Sequence, residues 1–148
     1  AGWPLAPALH QPTPCVGVIL DTSGSMSAQT ADGRTCEDDA LSEVAGIARA
    51  AGAEVWAVAC DAAAYDVVRV GSDRDLKKLN KGGGGTNMQP GFDAIMKKHP
   101  DLVVIVTDGY VGNDWPSPEA CRGVRLLAVL VGGCSKPPAY IPWLEAVP

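Results

Sequence analysis

The chain has 148 residues, of which 47% are hydrophobic and 20% charged, with a formal net charge of −5. That length and apolar content suit one domain with one sizeable core. The dilute negative charge, free of long like-signed runs, gives nucleic acid no basic surface to hold. The longest apolar runs fall far short of the roughly 20 residues that span a bilayer, so no membrane partner is expected.

Five cysteines, Cys15, Cys36, Cys60, Cys121 and Cys134, occur without a CxxC pair. Their odd number cannot close fully into internal disulfides, and reduced thiols in a cytoplasmic setting are the simplest reading. Cys15 and Cys60 flank apolar runs and read as core or near-core fillers, and the scatter is too wide for a zinc cluster. The first 14 residues, AGWPLAPALHQPTP, lack both an initiator Met and a basic start. They read as the extended lead-in of an excised fragment rather than a signal peptide, with the domain proper over residues 15–148.

Val16 to Leu20 is a continuous apolar run ending abruptly in Asp21, the pattern of a strand buried on both faces of a parallel sheet. After a polar loop, Thr35 can cap a helix whose first turn carries Glu37, Asp38 and Asp39 against its dipole. Leu41, Val44, Ala45 and Ala48 form its apolar face, and Gly52 is a natural stop. Glu54 to Cys60 reads as a second strand. Tyr65 to Val70 follows too closely for a crossover helix, so it should pair antiparallel as an edge strand.

Asp73 to Asn80 has the look of a short helix, broken by the four glycines 82–85. Pro90 suits the first turn of the next helix, whose apolar face is Phe92, Ile95 and Met96. Leu102 to Thr107 is another buried strand, closing on Asp108-Gly109, and Arg125 to Val131 is the last one expected. The stretch from Tyr110 to Gly123 is short and proline-bearing, so a helix there is expected to shrink to a loop. The tail through Pro137, Pro138 and Pro142 reads as irregular. Alternating strands and helices imply a Rossmann-like open α/β sheet, mostly parallel, flanked by helices, with one antiparallel edge strand. Ligands of such sheets collect at the carboxyl ends of the strands, where Asp21 and Asp108 stand.

In DTSGSM, positions 21, 23 and 25 alternate one carboxylate and two hydroxyls just past a buried strand. Asp21, Ser23 and Ser25 can therefore face one point, and hard oxygen donors of this kind suit magnesium, manganese or calcium. The glycine-rich turn delivers Thr86 to a helix start, and the apolar-run-then-Asp pattern recurs at Asp108. The bland alternative is a polar turn whose side chains cap backbone groups. Without GK[ST], the glycines are not a nucleotide-binding loop.

Taken together, DTSGS, GGGGTNM and VTDG resemble the metal-ion-dependent adhesion site of von Willebrand factor A domains, over about Val16 to Val131. The resemblance implies a vWA-like fold in which Ser23, Ser25 and Thr86 supply oxygens directly or through water. Asp21 and Asp108 would act mainly through hydrogen-bonded waters. A cation so held stays electrophilic and can accept an Asp or Glu carboxylate from a protein partner. LSEVAGIARA, EVWAVACDAA, GGGGTNM and DLVVIVTDGY also resemble the VWA-like C-terminal domain of predicted bacterial metallopeptidases, which implies a MoxR-type AAA ATPase as a candidate partner. Against fuller A domains, the chain looks C-terminally shortened.

Catalysis is not expected of these residues. A zinc peptidase needs HExxH, which is absent, and a serine hydrolase needs a GxSxG elbow and a usable His. A magnesium-dependent aspartyl-nucleophile phosphohydrolase is the enzyme alternative, but Ser23 stands where its second Asp would act as general acid. A metal that merely stiffens the loops is a third reading. Asp61 reads as an exposed loop or capping residue and His99 as a surface residue. Trp115 and Tyr110 either rim the metal or cover a loop.

Overall fold

The computed structural model describes residues 13–21, 43, 46, 47, 50, 52–60, 66–71, 87–107, 115–130 and 136–145. Six strands form one sheet: β1 (Cys15–Asp21), β2 (Glu54–Cys60), β3 (Val68–Arg69), β4 (Leu102–Thr107), β5 (Leu126–Leu130) and β6 (Trp143–Glu145). Their spatial order is β3-β2-β1-β4-β5-β6. Every pairing is parallel except β2 with β3, so the expected edge strand is present and antiparallel. Two helices are bounded within the described residues, α1 (Gln89–Met96) and α2 (Pro118–Cys121).

The strands are apolar because both faces of the sheet are covered. Val18, Leu20, Val55, Ala57, Ala59, Val104, Val106 and Val129 form one buried cluster. The alternate residues Ile19, Val58, Cys60, Val103, Ile105 and Ala128 join Met88, Phe92 and Ile95 of the α1 region in a second. Each fully buried Val, Leu or Ile contributes about 1.5–3 kcal/mol relative to exposure, which is what turns these runs into strands.

Pro90 lies in the first turn of α1, where its missing N–H costs nothing, and Asn87 Oδ1 accepts from the Gln89 amide at 3.1 Å. The helix ends where His99 enters the left-handed region at φ 51°, its amide donating to the Met96 carbonyl. Cys15 Sγ lies 3.9 Å from the Lys98 carbonyl at the amino end of β1. Cys60 Sγ meets the Asn87 carbonyl at the carboxyl end of β2. The helix therefore runs antiparallel to the strands and points its N-terminus at their carboxyl edge.

Glu43, Gly46, Ile47 and Ala50 are helical and exposed, at the spacing of one face opposite the expected apolar one. Gly52 follows at φ 59°, the conformation of a helix-stopping glycine. The segment 73–80, expected as a short helix, lies outside the described residues. Among the described residues, no helix is long and apolar enough to cross a membrane.

Two regions differ from expectation. Pro118–Cys121 keeps one helical turn, because Ser117 Oγ accepts from the Ala120 amide and Pro118 opens the turn. The tail is not irregular: Ile141 is buried, the Ala128 amide donates to the Pro142 carbonyl, and β6 adds a parallel strand beyond β5.

The close seating of α1 depends on glycine. A Cβ on Gly17 of β1 would lie 2.6 Å from Ile95 Cγ1, and one on Gly91 would lie 3.0 Å from both Cβ and Sγ of Cys60. Gly17→Ala should therefore overpack the β1–α1 contact and cost about 1–3 kcal/mol, read as a lower midpoint in denaturant unfolding.

Candidate functional site

The strand order reverses at β1, since β2 and β3 lie on one side of it and β4 to β6 on the other. In open α/β sheets the loops leaving the carboxyl ends part at this point and leave a crevice. β1 ends there on Asp21 and β4 on Thr107. Asp21 pairs in register with Cys60, and Leu20 with Val106, so Asp21, Cys60 and Thr107 stand side by side across three central strands. The two-residue period of a strand puts all three on the face that carries α1.

Asp21 is completely buried, and so is Thr107. The Thr107 hydroxyl donates to Asp21 Oδ2 at 2.6 Å. A carboxylate withdrawn from water needs such partners, because desolvation without compensation is costly. The bond takes one of the two carboxylate oxygens and orients the group at the strand end. On the other side, Cys60 Sγ approaches the Asn87 carbonyl at 3.0 Å, tying the start of the α1 region to the end of β2.

Of the five sequence-predicted site residues, Asp21 is placed as expected, at the carboxyl end of a central strand. Ser23, Ser25, Thr86 and Asp108 lie outside the described residues. Their chain neighbours Asp21, Asn87 and Thr107 all reach the same edge of the sheet. A buried hard-oxygen donor at that edge, with hydroxyl-bearing residues close by in sequence, fits a magnesium-type cation better than a soft-ligand metal. Among the described residues, no group of three or more His, Cys, Asp or Glu side chains is placed to hold a metal ion. The candidate donor set consists mostly of hydroxyls and is of a different kind.

Thr107 and Cys60 were absent from the sequence-predicted site. Trp115 is buried in the cluster around α1, while Tyr110 and Asp61 lie outside the described residues. His99 is exposed. Cys15 and Cys121 are free thiols, and burial pushes both above the usual thiol range, with Glu54 and Asp101 adding to the rise at Cys15. Such thiols stay protonated and are poor nucleophiles. Cys36 and Cys134 lie outside the described residues.

Thr107→Val keeps the side-chain shape and removes the hydroxyl. It should cost about 1.5–3 kcal/mol in denaturant unfolding, the range for a bond to a charged group, whereas Thr107→Ser should retain most of the stability.

No curated protein matches the chain by sequence. Several solved structures share its fold. An aerotolerance-related membrane protein from Bacteroides fragilis superposes with a TM-score of 0.63 at 16% identity, over 80% of this chain and 68% of that one. BatB from Bacteroides thetaiotaomicron gives 0.61 at 14% identity, over 79% and 66%. A von Willebrand factor type A protein from Catenulispora acidiphila gives 0.52 at 19% identity, over 79% and 33%. The chain thus spans about two thirds of the first two proteins and one third of the third. The family model described as VWA-like domain (DUF2201) matches residues 16–147, and the chain belongs to that family.

Proposed function

We propose that this chain is a protein-binding module that holds a divalent cation at the carboxyl edge of its sheet. Magnesium is the first choice, with manganese or calcium as alternatives. Ser23, Ser25 and Thr86 would provide hydroxyl oxygens, and Asp21 and Asp108 would balance charge through hydrogen-bonded waters. The bound cation supplies an electrophilic position that an Asp or Glu carboxylate of a protein partner can occupy. The observation that carries this reading is the buried Asp21 carboxylate, oriented by Thr107 at the reversal of strand order.

The chain's own groups work by position. Thr107 holds Asp21 at the strand end. Cys60 holds the Asn87 carbonyl, and so the turn that follows Thr86 in the chain, against the same edge. The N-terminus of α1 points there too, and its partial positive charge opposes a cation. The two carboxylates are needed to offset it.

Ser23 stands where an aspartyl-nucleophile enzyme carries its general acid, which supports binding over that alternative. Any peptidase activity would belong to another region of a larger bacterial protein. The free thiols of Cys15 and Cys121 fit a cytoplasmic setting, and a MoxR-type AAA ATPase is the partner class that the sequence resemblance favours.

Calorimetric titration with magnesium or manganese tests the proposal. Asp21→Ala should weaken the cation about 10–100-fold, as loss of outer-shell partners does, and more than Ser23→Ala. Affinity indifferent to both substitutions contradicts it. Capture of a partner from the native host should be abolished by chelator, and capture that survives chelator leaves the metal a structural role only.

A further inference from the structure

Among the described residues, β6 ends the sheet, and all three of its residues are exposed. It is firmly seated. Ile141 is buried just before it, the Ile141 amide donates to the Pro138 carbonyl, and Tyr140 donates to the Pro116 carbonyl at 2.7 Å. Yet Trp143 is 37% and Leu144 45% exposed, an apolar pair on a strand with no second neighbour among the described residues. Bare edges can pair with another strand unless they are blocked; Pro142 faces β5 and leaves the outer side open, and Glu145 is the one charge on the strand.

The ladder dictates which groups face outward. The Ala128 amide donates to the Pro142 carbonyl, and Ala128 is in register with Trp143. In a parallel pair, the N–H and C=O of Leu144 must then point toward β5, and those of Trp143 and Glu145 away from it. The outward residues are thus spaced two apart, with Leu144 midway between them.

That spacing is complementary to itself. We infer that β6 is the interface for a second copy of this chain, joined antiparallel about a two-fold axis at Leu144. Trp143 of one copy then exchanges both backbone bonds with Glu145 of the other, and the reverse pair repeats them. The two Leu144 residues meet as a non-hydrogen-bonded pair with Cα atoms about 4.5 Å apart. Charge agrees with this register. Lys136 Nζ stands 5.5 Å from the Trp143 ring centroid, so the strand crossing brings Glu145 of the second copy beside a cation. The contact uses the same patch on both copies and closes at two, in keeping with most homodimers. The sheet would become a continuous one of twelve strands.

Sedimentation equilibrium of the 148-residue chain tests this in the presence of chelator, so the result does not depend on the cation. A reversible dimer is expected. Glu145→Pro removes an outward N–H and no bond to β5, so it should give a monomer whose unfolding midpoint matches that of the wild-type chain diluted below its dissociation constant. Glu145→Lys should raise the dissociation constant about tenfold, and adding Lys136→Glu should restore it. Leu144→Cys should cross-link to a covalent dimer under mild oxidation, since paired Cα atoms at this spacing fall within disulfide reach, while the wild-type chain does not. A chain that stays monomeric at every concentration overturns the inference and leaves the edge to an extended peptide. A dimer indifferent to Glu145→Pro and to the charge exchange overturns it as well, because its interface then lies elsewhere.

Discussion

The hydrogen bond from Thr107 to Asp21 joins the ends of two strands that lie far apart in sequence and side by side in space. A carboxylate at the end of a fully buried strand is expensive to hide, and the neighbouring strand supplies the donor that makes its burial tolerable. Everything proposed for the carboxyl edge depends on that pairing. Without it, Asp21 would lose one of its partners, and the strand reversal part of what fixes its acidic anchor.

The same edge is shaped by how closely α1 sits on the sheet. Gly17 lets Ile95 lie against β1, and Gly91 lets the helix approach Cys60 and Ile19. That approach brings the Asn87 carbonyl to Cys60, in line with Asp21 and Thr107 on one face. Core packing and site geometry are thus one problem here: a methyl group added beneath the helix would shift the turn that leads into it. The far end of the sheet is tied separately, through mutual bonds between the Cys15 and Asp101 backbones and side chain and through Lys98 lying 4.2 Å from the Trp56 ring centroid.

Much of the fold was legible in the sequence because parallel strands covered on both faces become unbroken apolar runs. Leu102–Thr107 and Glu54–Cys60 are such runs, and both are strands over the expected residues. β6 was not legible: three residues set among prolines carry no period, and their strand geometry comes from pairing with β5. Asp21 could be read as a site residue from its place after a run. The part played by Thr107 could not, since a threonine in a strand is ordinary until the register puts it beside Asp21. Cys60 was rightly read as a buried filler, but its bond to Asn87 depends on a helix approach that spacing alone does not reveal.

The most direct test of a cation at the strand reversal is paramagnetic broadening of backbone amide signals by substoichiometric manganese. The account predicts that Asp21, Cys60, Asn87 and Thr107 broaden first, while Val16, Glu54 and Leu102 at the opposite end of the same strands stay sharp. Broadening centred on the amino ends of the strands, or spread evenly over exposed carboxylates, would contradict it.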